Sequence, residues 1–398
     1  MGSQRIQVDD LEFEIRMRVG RRVRDLRLSA GLTSTALAGM AGISQGQLSK
    51  IETGKAVLSS KILAGLCRVF DRPVGYLFQS RGEMPRVLGT LTTVEGPENE
   101  GIRAFAQAVR RMTGDRLSLI PLRPSQLGTA ISQVEALREG LIDLFIEEPF
   151  YYAAFVPGFS LFSLPYAFRN EDHRQRFLAG DHFRQSLCDP LREVGIRFLN
   201  RRWNWLRGLE WVLAADRPIV EPGDIRGLRV RTPESDLIQC FWRMMGARPV
   251  AVPWAEVTSA LRSGSVDVVP THKTHLYPLG FCRYARYVTR LDDLPPVLAL
   301  GINDARYQVL TPAIQAGLQE ACDVAGSFFS RCVRNAEIEN ERLNIQRLKA
   351  VYLTVGVDLW RRTVETVRAR MIDDGLMDAD AWTAVTSADP GTVERAGS

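Results

Sequence analysis

The chain has 398 residues, too many for one ordinary core, and at about 100–200 residues per domain it is expected to fold as two or three units. Its 45% hydrophobic and 24% charged residues exclude a disordered or fibrous chain. No apolar run approaches the roughly 20 residues of a membrane-spanning helix. The net charge of +5 is unevenly placed: residues 1–85 hold 13 basic and 8 acidic side chains, and the remainder holds 38 of each. That local excess points to a polyanionic partner for the first fifth of the chain. The opening MGSQRIQVDD lacks the basic start and the apolar stretch of about 7–15 residues of a secretory signal, so a cytoplasmic location is expected. The six cysteines are scattered without a CxxC pair, which suggests neither a disulfide framework nor a zinc ribbon. No cofactor is expected.

Ile15, Val19, Val23 and Leu26 recur at helical spacing, with Arg18, Arg21, Arg22, Arg24 and Arg27 on other faces. This predicts a basic amphipathic helix ending at Ala30-Gly31. Thr33 is a natural N-cap for a short helix carrying Leu37 and Ala38 that stops near Gly39 to Gly42. Ser44 caps a third helix, Gln45 to Glu52, closed by Gly54. Two short helices joined by a turn form the helix-turn-helix pattern. Gly20, Leu26-Arg27, Gly31-Leu32-Thr33, Leu37-Ala38, Ile43-Ser44, Leu48 to Glu52 and Gly54 match together. On these residues the stretch resembles the Cro/C1-type (XRE-family) helix-turn-helix domains over their whole five-helix length.

That resemblance implies a third helix lying in the major groove of double-stranded DNA. Gln45, Gly46, Gln47, Ser49 and Lys50 then sit at or beside the groove, where Gln can pair with adenine and Lys can donate to guanine. Thr33, Ser34, Ser44 and Lys55 suit phosphates. Glu52 and Ile51 read as structural. Two residues depart from the family: Ser34 stands where a Gln is usual, and Gly46 removes a side chain from the reading surface. Base readout is therefore expected to be sparse, with phosphate contacts and DNA shape contributing more.

Gln79 to Pro85 is polar and contains Gly and Pro, which places a domain boundary there. Beyond it, strand-like runs at Val87-Leu88-Gly89 and Leu117 to Ile120 alternate with helical stretches at Gly101 to Met112 and Ala130 to Glu139. Such alternation predicts α/β architecture with βαβ units. Leu137 to Asp143, Leu164 to Arg169, Gly227 to Ser235, Met245 to Val250, Trp254 to Val257 and Ala260 to Asp267 resemble the substrate-binding proteins of tripartite ATP-independent (TRAP) transporters, over about residues 86 to 375. The expected organisation is multidomain: an all-α helix-turn-helix domain (1–80), a linker (81–86), a TRAP-type module (87–375) and a C-terminal tail (376–398). The module's implied fold is two α/β lobes, type II-like, joined by a long helix and closing on ligand at a hinge. Residues 310–348 suit that helix.

Within the module, Arg231 falls on the family's ligand arginine, whose guanidinium holds a carboxylate bidentately. Arg229, on the opposite face of the same strand, is the solvated alternative. Trp254 falls on an aromatic wall position. A second family arginine aligns without gaps to Glu210, and Thr271 replaces the usual ligand Asn. These departures predict one carboxylate or sulfonate on Arg231, with an aromatic, apolar or cationic remainder, rather than a dicarboxylate. Trp211, His272 and Glu147 complete the expected ligand set, while Trp203 and Trp205 read as core. His272-Lys273-Thr274-His275 has HxxH spacing but no third ligand, so no metal site is expected.

No GxSxG, GxxxxGK[ST], HExxH or GxGxxG motif occurs in a catalytic context, and no enzyme activity is expected. The reading is a one-component transcriptional regulator that senses a small organic acid and acts as a dimer, or dimer of dimers, on a palindromic operator. A catalytic or ligand-free interaction role for the second module is the alternative.

Overall fold

The computed structural model describes residues 8–56, 58–72, 74–77, 87–91, 97–122, 129–208, 210–294 and 296–389. The expected linker 81–86 lies outside the described residues. Five helices come first: α1 (Val8–Ser29), α2 (Ser34–Ala41), α3 (Gln45–Glu52), α4 (Ser60–Phe70) and α5 (Val74–Leu77). Their starts are set by hydroxyl caps. The side chains of Thr33 and Ser44 each accept a hydrogen bond at 3.1 Å from the backbone N–H three residues on, and Ser59 does the same at 3.4 Å. Gly42 ends α2 at φ 70°, a left-handed turn that favours glycine.

Val19, Val23, Leu37, Leu48, Ile51 and Leu66 are buried in the bundle. Gly20 lets α1 cross α3 closely, since a Cβ there would lie 2.2 Å from the Ile51 carbonyl oxygen. Across the same crossing, Arg27 grips Glu52 with Nε at 2.6 Å and Nη2 at 3.0 Å. Glu52 is thus a structural partner of Arg27.

The rest forms two lobes. In the first, β1 (Val87–Leu91), β2 (Leu119–Leu122), β3 (Leu144–Glu147), β4 (Ile196–Phe198) and β10 (Ala299–Asn303) are ordered β2-β1-β3-β10-β4. In the second, β5 (Trp211–Ala215), β6 (Arg229–Thr232), β7 (Arg248–Ala251), β8 (Val268–His272), β9 (Tyr287–Asp293) and β11 (Val351–Thr354) are ordered β11-β9-β5-β8-β6-β7. Both sheets are mixed rather than wholly βαβ. β10 returns from the second lobe and inserts antiparallel between β3 and β4, while β5 lies antiparallel to β8 and β9. The chain passes between lobes at an isolated antiparallel bridge, Leu206 with Val297.

The first sheet is buried on both faces. Phe105, Trp205 and Phe329 stack on one side, together with Leu318 and Ile146. Phe145, Tyr152, Phe159, Phe198 and Trp203 form an aromatic cluster on the other. Helices α6 (Pro97–Met112) and α13 (Pro312–Leu348) cover the first face. With 37 residues, α13 is about 55 Å long. It also packs against short turns of the second lobe at Lys273–His275 and Phe281–Arg283, so it braces both lobes.

One expectation needs correction. The segment read as a tail contains α15 (Ala379–Ser387), whose Ala381 and Val385 are buried with the first lobe. Asp378 caps it through two backbone N–H groups, and the Val385 carbonyl lies 2.7 Å from the Nε2 of His173. The signal was the apolar spacing of four residues between 381 and 385 behind an Asp cap. Residues 390–398 lie outside the described residues.

Candidate functional site

Between the lobes lies a cleft of about 1940 Å³, whose lining includes Arg207, Trp211, Arg231, Trp254, Thr271 and His272. Arg229 and Arg231, expected on opposite faces of one strand, are two residues apart on β6 and so share a face; it is their place along the strand that separates them. Arg229 turns outward and is held by Asp267 at 2.6 Å; that hydrogen-bonded pairing keeps the Asp267 carboxyl below its usual range. Arg231 turns into the cleft. Its Nε donates to the Val252 carbonyl at 3.0 Å, and its guanidinium carbon lies 5.1 Å from the centre of the Trp254 ring. No carboxylate forms an ion pair with Arg231 among the described residues. Burial pulls its pKa down to about 10, against the opposing pull of Tyr151 and Glu148. A half-buried, charged fork without a paired carboxylate is suited to receive an anion.

The opposite side of the cleft holds a different arginine. Arg207, at the lobe crossing, is 6% exposed and is enclosed by three carboxylates. Its Nε is 3.0 Å from Glu98 and its Nη1 2.9 Å from Glu148, and it also binds both oxygens of Glu147. Burial works against the Arg207 charge, but Glu147, Glu98 and Glu148 outweigh it and raise its pKa well above the usual value.

The second lobe adds two imidazoles. His272 Nε2 is 3.0 Å from Glu148 and His275 Nε2 is 3.5 Å from Glu98. Burial tends to raise all three carboxyls. For Glu98, Arg207 and His275 overcome it and hold the pKa at about 2; for Glu148, His272 and Arg207 do the same. Glu147 goes the other way, pushed up to about 7 by burial and by its two acidic neighbours. His275 is lowered, chiefly by burial.

The expected ligand residues divide accordingly. Arg231, Trp254, Trp211, Thr271, His272 and Glu147 line the cleft. Within it, Trp254 lies 5.0 Å from the His275 ring, and Thr271 Oγ1 lies 3.4 Å from His275 Nδ1. Glu210 does not line the cleft. It lies 3.6 Å from Lys273, and burial raises its carboxyl against that ammonium. The arginine of this segment that reaches the cleft is Arg207, three residues earlier, just past the bridge at Leu206. The gapless alignment that set Glu210 on the family's arginine position passed over it, and neither periodicity nor a motif marks it. Glu98 was equally silent, because its partners are distant in sequence. Trp203 and Trp205 are core residues, 5% and 0% exposed.

In the helical bundle, α3 buries Leu48 and Ile51 and exposes Gln45, Gly46, Gln47, Ser49 and Lys50. Thr33, Ser44 and Lys55 are also exposed and Ser34 half-buried. The expected reading face is thus one continuous exposed helix surface, flanked by the two capping hydroxyls.

Residues 88–356 match the bacterial extracellular solute-binding proteins, family 7, and residues 18–75 match a helix-turn-helix domain. A 2,3-diketo-L-gulonate-binding periplasmic protein of Escherichia coli is 24% identical over 286 residues, 72% of this chain and 85% of that protein. The sialic acid-binding periplasmic protein of Vibrio cholerae is 23% identical over 257 residues, 63% of this chain and 77% of that protein. Among solved structures, a TRAP periplasmic solute binding protein from Roseobacter denitrificans with bound β-D-glucuronate superimposes with a TM-score of 0.69 at 19% identity, covering 76% of this chain and 100% of that one. A Shewanella oneidensis counterpart with bound succinate gives 0.68 at 19%, covering 77% and 99%. The chain belongs to the family 7 bacterial extracellular solute-binding proteins, and it carries a helix-turn-helix domain ahead of that module.

Proposed function

We propose that the protein is a ligand-responsive transcriptional regulator of the Cro/C1 type, acting in the cytoplasm as a homodimer or dimer of dimers on a palindromic operator. Residues 1–80 read DNA, 81–86 link the units, and the module from residue 87 senses a small organic acid. The observation that carries this reading is Arg231: a half-buried guanidinium with no carboxylate partner among the described residues, set against Trp254 in an interlobe cleft, in a chain that also presents an exposed α3.

The acid's carboxylate or sulfonate binds Arg231 and its body lies along Trp254. Because Arg207 already holds three carboxylates, a second acid group finds no free cation there. A monoacid is favoured, and its hydroxyl or ammonium donors face Glu148 and His272. The similarity to proteins whose names record bound glucuronate and sialic acid makes hydroxylated monoacids such as hexuronates the first to test.

Ligand closes the lobes and changes the relative placement of two helix-turn-helix units, whose half-sites lie about 34 Å apart on DNA. A coupling of about 1–3 kcal/mol is the usual scale for such switches. The test is calorimetric titration with D-glucuronate, D-galacturonate and succinate, followed by operator binding with whichever acid binds. Binding of a monoacid that is lost in Arg231→Ala supports the assignment; equal binding by the variant overturns it.

A further inference from the structure

Directly after β3 the first lobe carries a short 3-10 helix, Pro149–Ala154. With about three residues per turn, neighbouring side chains on such a helix diverge by about 120°, and its two tyrosines go separate ways. Tyr152 is fully buried against Phe145, Phe159 and Phe198. Tyr151 is half-buried, lines the cleft and rests against Phe150, with ring centres 4.0 Å apart. Its hydroxyl has no hydrogen-bond partner among the described residues, whereas that of Tyr166 donates to the Leu291 carbonyl at 2.6 Å.

The charges around the Tyr151 hydroxyl show what it faces. Arg231, on β6 of the second lobe, acts on it across the cleft, as do Glu147, Glu148 and Arg207. Burial and the two glutamates push the phenol up against the pull of the arginines, so it stays a neutral donor. Glu148 is already held by His272 and Arg207. Arg231 uses Nε on the Val252 carbonyl, and its two terminal nitrogens have no partner among the described residues. A neutral donor of one lobe and a charged fork of the other thus flank the same part of the cleft.

We infer that Tyr151 is the first lobe's contact to the acid, its phenolic hydroxyl donating to the carboxylate or sulfonate that Arg231 holds from the second lobe. A carboxylate offers about four lone-pair sites, so a bidentate fork leaves room for this further donor, and an O–H donor to an ionised oxygen makes a strong bond. The anion then joins the lobes through a single group. A ligand shifts a hinge only as far as it binds the closed state better; a contact made from both lobes supplies that difference, and one made to Arg231 alone does not. The inference deepens the acid-sensing role proposed above and rests on it.

The experiment is calorimetric titration of the full-length chain with D-glucuronate and D-galacturonate, for wild type, Tyr151→Phe and Arg231→Ala, with urea unfolding of each. Tyr151→Phe keeps the ring against Phe150 and removes only the hydroxyl. The expected result is an affinity about tenfold or more lower in Tyr151→Phe, with an unchanged urea midpoint. Wild-type affinity in Tyr151→Phe, with binding lost in Arg231→Ala, overturns the inference and leaves the acid sensor standing. A loss in Tyr151→Phe that comes with a lowered urea midpoint marks a packing role and also overturns it. Equal binding by Arg231→Ala, or a wild type that binds neither acid, overturns the sensor reading and this inference with it.

Discussion

Two arginines face the same cleft and differ in what already surrounds them. Arg207 sits at the lobe crossing among Glu98, Glu147 and Glu148, and its charge is spent holding the first lobe to the crossing segment. Arg231 has a carbonyl and an indole face, and no carboxylate among the described residues. Arg207 is buried and Arg231 half-buried, and both carry the same fork of donors, yet it is Arg231 whose charge no carboxylate among the described residues compensates. Whether an arginine serves as an anchor depends on the charge left uncompensated around it, and that balance is set by residues from distant parts of the chain.

The largest effect that sharpens this contrast is expected from Arg207→Met. It leaves three buried carboxylates without their cation, and removing one partner of a buried ion pair costs about 3–5 kcal/mol. Urea unfolding measures it, and a loss below about 1 kcal/mol would break the comparison. Arg231→Ala should do the reverse. Monoacid affinity should fall about 100-fold or more, in the range of about 2–5 kcal/mol for truncating one partner of a buried charged contact, while stability changes little because no ion pair is lost.

On the DNA side, Gln45→Ala should cost about 1–3 kcal/mol of operator affinity and relax specificity at one base. Lys55→Ala should instead weaken all sequences alike and lower the salt slope by about one. Trp254→Leu removes the ring face behind Arg231 and should cost about 0.5–2 kcal/mol of ligand affinity, measured by calorimetry.

The smallest effect is in the pH dependence of stability. Glu147 is raised to about 7, so the folded state holds a proton that the unfolded chain releases near pH 4.5. Its contribution therefore falls as pH rises from about 4.5 to about 7. Glu98 and Glu148 are held at about 2, and their contribution is lost as pH falls from about 4.5 toward 2. His275 is lowered, which favours the fold as pH rises through the ordinary imidazole range and opposes Glu147. The informative quantity is the difference between wild type and Glu147→Gln, whose urea midpoint should decline less between pH 5 and 7.

The bundle was legible because every signal in it is local: hydroxyl caps, glycine turns and apolar spacing occur within four residues of one another. Arg231 and Trp254 were legible for a related reason, since the motifs that flank them fix their register; Arg229, on the same face of β6, is set apart by its place along the strand and its pairing with Asp267. Glu210 was misplaced because a count along the sequence does not say which way a side chain turns: in the fold its carboxylate lies against Lys273, and it is Arg207 that reaches the cleft. The Arg207 cluster could not be read as a cluster: Glu98, the pair Glu147-Glu148 and His272 come from three separate places in the chain and meet only in the folded state. The mixed strand order has the same cause, because β10 enters the first sheet only after the chain has built most of the second.

The most direct measurement is the affinity of the full-length protein for its selected operator DNA, by fluorescence anisotropy at fixed salt, with and without the monoacid that titration identifies. The expected result is a change of about 5–150-fold that disappears in Arg231→Ala. Equal operator affinity in the presence and absence of a bound acid would contradict the coupling of cleft to reading helix.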